Sequence, residues 1–221
     1  MMKTYFISGL GGDKRLFSKL ILPQQIECIY LEYIPNKPSE SLADYSKRMA
    51  ESIDTKEDFQ LVGLSLGGLI ASEIAKIYKP KQVTIISSIA TGDEVPWYLK
   101  MAVPLLQNPF FPLSKQQVSN PVGFWLMGAG SNQEQEELNE LLNYENEGFL
   151  RWALNAIATW DNLKRVKNLY HIHGSADKLF PIAFVHPDFV VQGGEHLMVL
   201  DKQKEISGIL SERLMQFEPI I

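Results

Sequence analysis

The chain has 221 residues, of which 45% are hydrophobic and 21% are charged. These are ordinary values for a globular protein, and the length suits a single domain with a sizeable core. The formal net charge of −5 argues against the basic surface that binds nucleic acid or anionic membranes.

Cys28 is the single cysteine, so no internal disulfide can form, and its apolar surroundings predict a buried small side chain. Residues 1–9 lose their apolar pattern before a signal-peptide core could form. The longest apolar stretch, residues 95–113, is interrupted by polar residues and prolines, so we expect no membrane span. Together these features predict a cytoplasmic protein.

The first part of the chain alternates between strand and helix patterns. Residues 3–8 form an apolar run typical of a buried strand. A glycine-rich loop follows at residues 9–12, and Leu16, Phe17 and Leu20 give residues 13–20 the apolar stripe of a helix. A second strand is predicted at residues 26–30.

The alternation continues through residue 87. Ser41 is a predicted helix N-cap, because Leu42, Tyr45, Met49 and Ile53 follow it at helical spacing. Residues 59–62 form a third strand, a helix covers 69–78, and Lys79-Pro80 ends it. A fourth strand is expected at 83–87. Such alternation predicts a parallel sheet covered on both faces.

The pattern then changes between residues 91 and 162, where no strand is indicated. The first part of this segment mixes prolines with aromatic residues, and the second part predicts two helices. One is polar and carries a glutamate run at 134–140, which we interpret as a solvated face. The other spans about 148–160. We interpret the segment as an insertion and not as a second domain with its own sheet.

Strand patterns return at residues 169–173 and 189–191, and a final helix is predicted at 203–217. The predicted fold class is therefore α/β, with a six-stranded, mostly parallel sheet and helices on both faces. Residues 1–90 and 163–221 form its core, and residues 91–162 form the helical insertion.

The sequence Gly63-Leu64-Ser65-Leu66-Gly67 lies between the third strand and the helix that follows it. This is the G-x-S-x-G pattern of a nucleophile elbow, in which a serine occupies a sharp strand-to-helix turn. Gly63 and Gly67 lack side chains that would clash in such a strained turn. The alternative is a glycine-rich turn without a chemical role.

A serine nucleophile needs a base, and the base needs an orienting acid. In open α/β sheets such groups collect beyond the carboxyl ends of strands. Asp177 follows the fifth strand and His196 follows the sixth, so both are candidates. Asp161 or Asp201 could replace the acid, and His173 is the main competitor for the base.

These residues resemble the α/β-hydrolase superfamily, which carries its triad in the chain order Ser, Asp or Glu, His. The resemblance covers nearly the whole chain, and the insertion falls where the family has a helical cap. It implies Ser65 as nucleophile, His196 as general base and then acid, and Asp177 as the orienting carboxylate. The chain lacks the family's opening antiparallel hairpin, so a minimal version of the fold is expected.

The resemblance also implies an oxyanion hole. Its donors would be the backbone N–H of Leu66 and a second N–H from the loop after the first strand. Leu10 is the expected second donor, with Gly11 or a neighbour as the alternative. The family often has His-Gly-x-Gly in this loop, whereas this chain has Ser8-Gly9-Leu10-Gly11.

The implied activity is hydrolysis of an ester, thioester or related acyl bond of a small, largely apolar substrate, with no metal or organic cofactor. Possible substrate contacts are Gly11, Trp97, Phe124, Trp125 and Trp152, although aromatic residues in such an insertion more often pack inside it. Two alternatives stay open. The same triad could serve carbon–carbon bond hydrolysis, perhydrolysis or lyase chemistry, or the protein could bind a ligand without turnover.

Overall fold

The computed structural model of the protein describes residues 2–108, 110, 119–142 and 146–216. Its strands are β1 (Met2–Ile7), β2 (Ile26–Leu31), β3 (Phe59–Leu64), β4 (Gln82–Ile86), β5 (Leu169–Gly174) and β6 (Phe189–Val191). Each strand lies within two residues of the position that the sequence predicts.

The six strands form one sheet in the order β2-β1-β3-β4-β5-β6. All five neighbouring pairs are parallel. The sequence predicted a mostly parallel sheet, and this prediction is confirmed. Since every strand runs in the same direction, all six carboxyl ends meet at one edge of the sheet, where ligands bind in open α/β folds.

The central strand β3 is buried along its whole length, as expected for a strand covered on both faces. Side chains alternate between the two faces. Tyr5 and Leu61 pack into the core on one face, and Phe6 and Val62 pack into the core on the other.

Helices cover both faces of this sheet. The helices are α1 (Leu42–Met49), α2 (Leu66–Tyr78), α3 (Trp97–Gln107), α4 (Pro121–Met127), α5 (Asn132–Leu141), α6 (Glu147–Ala158), α7 (Met198–Asp201) and α8 (Gln203–Met215). Apolar residues of α1 and α2 join the Tyr5 core, and those of α7 and α8 join the Phe6 core. Among the described residues, no helix has the length and apolar composition needed to span a bilayer.

Between β4 and β5 the described residues form helices α3 to α6 and no strand. The sequence predicts α5 and α6, whereas no helix is predicted in the first part of the segment, rich in proline and aromatic residues, where α3 and α4 lie. In the structure Pro96 and Pro121 stand at helix starts, where a missing N–H costs little, and Pro104 lies inside α3. The division of the chain into core and insertion stays a prediction.

Two helix predictions need correction. Residues 13–20 form only a short 3₁₀ helix, Lys14–Phe17, because the Ser18 hydroxyl donates to the Arg15 carbonyl (2.7 Å) and closes the turn there. Helix α8 ends at Met215. Phe217, predicted to face the core, and residues 109, 111 and 112 of the insertion lie outside the described residues.

The turn between β3 and α2 is tightly packed. Ser65 has φ 52° and ψ −119°, a conformation that costs a side-chain-bearing residue about 1–3 kcal/mol. A Cβ atom on Gly63 would lie 2.3 Å from the Gly67 carbonyl oxygen, and one on Gly67 would lie 2.2 Å from that of Ile7. Neither position accepts a side chain, as the sequence predicted.

We expect Gly67→Ala to lower the free energy of unfolding by about 3 kcal/mol, because the added methyl group meets rigid backbone on β1. Gly208→Ala is the matched control, since a Cβ atom there meets nothing within 4 Å and alanine favours the helix by about 1 kcal/mol. Urea unfolding measures both. Equal midpoints for Gly67→Ala and the unaltered protein would contradict the packing argument.

Candidate active site

Three side chains predicted from distant parts of the sequence meet beyond the carboxyl ends of the strands. Ser65 follows β3, Asp177 follows β5 and His196 follows β6. They are buried, with exposed fractions of 6%, 3% and 1%. The parallel sheet brings them together because each lies in the loop that leaves the same edge.

The three side chains form a continuous hydrogen-bonded chain. His196 Nδ1 lies 2.9 Å from Asp177 Oδ2, and His196 Nε2 lies 3.0 Å from Ser65 Oγ. A carboxylate accepts, so Nδ1 of His196 carries the hydrogen and the lone pair of Nε2 faces the serine hydroxyl. This is the arrangement in which an imidazole can remove the serine proton.

The turn after β5 holds the acid in place. Asp177 Oδ1 accepts hydrogen bonds from the backbone N–H groups of Leu179 and Phe180, both at 2.9 Å. Asp177 therefore makes the backbone contacts of an Asx turn with Oδ1 and contacts His196 with Oδ2. Asp161 and Asp201, the alternative acids, are both exposed.

Burial would raise the pKa of the Asp177 carboxyl group. The positive charge that His196 can carry and the hydrogen bond between the two residues outweigh this effect, so the pKa of Asp177 lies below its ordinary value of 3.8. The carboxylate is thus ionised at neutral pH and can stabilise a charged imidazole.

A second pair of histidines lies beneath this site. His171 Nε2 lies 3.0 Å from His173 Nδ1, and His173 Nε2 lies 2.7 Å from the Phe180 carbonyl oxygen. A carbonyl can only accept, so His173 Nε2 carries a hydrogen, and His171 must donate to Nδ1. His173 Nε2 is therefore bonded to the backbone of the Asp177 turn, and the imidazole that contacts Ser65 Oγ is that of His196.

Both of these imidazoles are fully buried. Burial lowers the pKa of His171 well below its ordinary value of 6.5, and the neighbouring His173 adds to this shift. Burial also lowers the pKa of His173. The pair is therefore neutral at pH 7, which leaves His196 as the partner that Asp177 can stabilise as a cation.

Backbone segments border Ser65 on two sides. Leu66 is the first residue of α2, so its N–H has no acceptor within the helix. The loop after β1 approaches from the other side, where a Cβ atom on Gly9 would lie 3.4 Å from Ser65 Cβ. Leu10 lines the cavity beside Ser65. This is the position from which the sequence expected a second oxyanion donor.

An apolar cavity of about 260 Å³ adjoins Ser65 and His196. Apart from Ser65, His196 and Asn120, its lining consists of apolar side chains and glycines. The segment between β4 and β5 contributes Val122, Leu126, Met127, Leu142, Leu150, Leu154 and Ile157, and the rest of the chain contributes Leu10, Leu16, Leu179 and Leu197. Such a cavity accommodates a hydrocarbon group next to the serine hydroxyl.

The five predicted substrate contacts lie elsewhere. Trp97 and Trp125 are 62% and 58% exposed, and Phe124 is buried in the core. Trp152 donates from Nε1 to the Glu40 carbonyl oxygen at 2.7 Å. Gly11 borders a separate depression.

Sequence reasoning missed the residues that form the walls. Trp152 of helix α6 is the substrate contact that the sequence predicts, whereas Leu150 and Leu154 of the same helix line the cavity. Their spacing of four residues places them on one stripe of the helix. The apolar stripe formed by these two leucines on the helix predicted at 148–160 was the sequence signal that could have identified them.

The chain was compared with known proteins. No family model matches it, and no curated protein sequence matches it. Among solved structures, a lipase-esterase related protein from Clostridium acetobutylicum superposes with a TM-score of 0.72 at 19% identity, over 95% of this chain and 93% of that chain.

Two further solved structures are also similar in fold. A protein assigned to the α/β-hydrolase family of Desulfitobacterium hafniense has a TM-score of 0.61 at 20% identity, covering 96% of each chain. A thermophilic esterase from Thermogutta terrifontis has a TM-score of 0.69 at 12% identity, over 98% of this chain and 90% of that chain. At these identities the likeness is one of fold, and the protein has the α/β-hydrolase fold.

We expect stability to fall as the pH drops below about 6.5, because the unfolded chain then protonates His171 and His173 while the folded protein keeps them neutral. Each histidine contributes a slope of up to about 1.4 kcal/mol per pH unit. Urea unfolding between pH 7.5 and 5.0 measures this slope.

His171→Leu removes one of these groups, so its stability should depend less steeply on pH over the same range. His186→Gln, which alters an exposed histidine, is the control and should keep the original slope. Identical slopes for His171→Leu and the unaltered protein would show that the buried pair does not govern the pH dependence.

Proposed function

We propose that the protein is a serine hydrolase that cleaves an ester, thioester or related acyl bond of a small, largely apolar substrate. The observation that carries this proposal is the hydrogen-bonded chain from Asp177 through His196 to Ser65 Oγ, beside an aliphatic cavity. The fold of the chain, shared with esterases and lipase-like proteins, supports it.

In this mechanism Ser65 Oγ attacks the substrate carbonyl while His196 Nε2 takes its proton. The resulting imidazolium is stabilised by the Asp177 carboxylate, which already accepts from Nδ1 at 2.9 Å. His196 then returns the proton to the leaving alcohol or thiol, and an acyl-enzyme forms on Ser65. A water molecule deprotonated by His196 attacks this ester and releases the acid.

The negative charge that develops on the carbonyl oxygen needs donors that are already in place. The N–H groups of Leu66 and Leu10 take this role in the proposal, since they flank Ser65 at the helix start and in the loop after β1. Such a donor typically contributes about 3–4 kcal/mol of transition-state stabilisation.

The substrate class follows from the cavity. Its walls hold aliphatic side chains from the inserted helices, so burial of hydrocarbon drives binding of the acyl part of the substrate. We propose that the segment 91–162 acts as a cap that supplies this surface, while the core supplies the reacting groups.

Ser65→Ala should lower kcat/KM for p-nitrophenyl butyrate by at least about 10⁴-fold, because no nucleophile remains. Labelling by a fluorophosphonate probe should be lost as well. Ser211→Ala, which removes a hydroxyl group from α8, is the control and should keep both. A folded wild-type protein that neither turns over esters nor reacts with the probe would refute the proposal.

The length of the acyl chain of the substrate gives a second test. Among p-nitrophenyl esters, kcat/KM should rise about fourfold per added methylene, since each buried methylene is worth about 0.8 kcal/mol. The rise should end when the acyl chain fills the cavity. Leu150→Trp occupies part of this space and should move the optimum to shorter chains.

Leu163→Trp makes the same substitution at a position that is 72% exposed and should leave the optimum unchanged. Values of kcat/KM that do not change with the length of the acyl chain would contradict the assignment of the cavity to the acyl group. So would equal optima for Leu150→Trp and Leu163→Trp.

A further inference from the structure

The backbone of Ser65 is held on both sides by residues at the end of β4. The Ser65 N–H donates to the Ile86 carbonyl oxygen at 2.9 Å. The Ser65 carbonyl oxygen accepts from the Ser88 hydroxyl at 2.7 Å and from the Gly68 N–H at 2.9 Å. Ser88 is thus the side chain that contacts the backbone of the proposed nucleophile.

The residues around Ser88 bury it and leave room for its hydroxyl group. Ser88 is fully buried, and the preceding residue, Ser87, has φ 46°, a value that non-glycine residues rarely adopt. On α2, a Cβ atom at Gly68 would lie 2.3 Å from Ser88 Oγ and 2.6 Å from Ser88 Cβ. Gly68 therefore leaves the space that the hydroxyl group occupies.

The geometry of the peptide unit explains why the contact between Ser88 and the Ser65 carbonyl affects the Leu66 N–H. The unit that joins Ser65 to Leu66 is trans and planar, so its C=O and its N–H point in opposite directions. A hydrogen bond to the carbonyl therefore also fixes the direction of the Leu66 N–H. It polarises the unit as well, which makes the N–H a stronger donor.

We propose that Ser88 is a positioning residue for the oxyanion hole. It acts through the Ser65–Leu66 peptide, which it orients and polarises, and it does not touch the substrate. The inference rests on the proposed function, because it assumes that the Leu66 N–H stabilises the tetrahedral intermediate formed on Ser65.

The second donor is held in the same manner. The carbonyl of Gly9 accepts from the Gly12 N–H at 2.9 Å, and this carbonyl belongs to the peptide unit that carries the Leu10 N–H. There the partner is a backbone N–H, which only a substitution by proline would remove. Ser88 is the partner that a side-chain change removes cleanly.

The test compares Ser88→Ala with Ser72→Ala. Both replace a fully buried serine whose hydroxyl donates to a backbone carbonyl, at 2.7 Å to Ser65 and at 2.9 Å to Gly68. Ser88→Ala leaves the Ser65 carbonyl bonded to the Gly68 N–H, so the fold should persist, and thermal unfolding of both variants checks this.

For Ser88→Ala we expect kcat for the preferred p-nitrophenyl ester to fall about 10-fold, less than the effect of deleting a donor outright. KM should stay within about twofold, since the contact matters in the transition state and not in substrate binding. Inhibition by an aliphatic trifluoromethyl ketone, whose tetrahedral adduct carries an oxyanion, should weaken by about the same factor as kcat. Ser72→Ala should match the wild type in all three measurements.

An unchanged kcat in Ser88→Ala, with an active wild type, would overturn this inference and leave the proposed function intact. The same would follow if kcat fell but inhibition by the ketone did not, or if Ser72→Ala showed an equal loss. A wild type without ester hydrolysis or probe labelling would overturn both.

Discussion

The site depends on one constraint, which is the close approach of β3, β1 and the start of α2 around Ser65. The serine adopts a strained backbone conformation, and Gly63 and Gly67 allow neighbouring backbone within 2.3 Å of where a Cβ atom would stand. Because the surrounding segments leave no space for relaxation, the hydroxyl group stays at the top of the turn. The directions of the adjoining N–H groups follow from the same packing.

The parallel sheet supplies the rest of the arrangement. Because all five neighbouring pairs are parallel, the carboxyl ends of all six strands lie at the same edge of the sheet. Residues 65, 177 and 196 lie in loops that leave this edge, so they meet there. Below them, neutral imidazoles and backbone groups satisfy the turn that holds Asp177. The carboxylate is therefore buried with its lone pairs in use, which is the condition under which a buried charge is tolerated.

Much of this could be predicted from the sequence, and the successes share a cause. Apolar runs indicated the strands, and the spacing around Ser65 indicated the turn, because both signals are local. The outcome was different for residues 13–20, where the Ser18 hydroxyl ended a helix that periodicity alone would have continued. Local hydrogen bonds of this kind compete with helix formation and leave little trace in an apolar pattern.

The residues that line the cavity could not be predicted from the sequence, for a different reason. Aromatic residues such as Trp152 were candidates because of their size, yet Trp152 donates to the Glu40 carbonyl and packs 4.4 Å from the Tyr45 ring. Which stripe of α6 faces the cavity depends on how α6 packs against other elements. The contact of Ser88 with Ser65 also depends on tertiary packing, since it joins the loops after two neighbouring strands and residues 23 positions apart.

The origin of the cavity walls has a consequence for how such a protein diversifies. The reacting side chains come from loops of the sheet, whereas most of the apolar lining comes from the segment between β4 and β5. Drift in that segment reshapes the space offered to a ligand without disturbing the geometry of proton transfer. The two properties are encoded in separate stretches of the chain and are free to evolve at different rates.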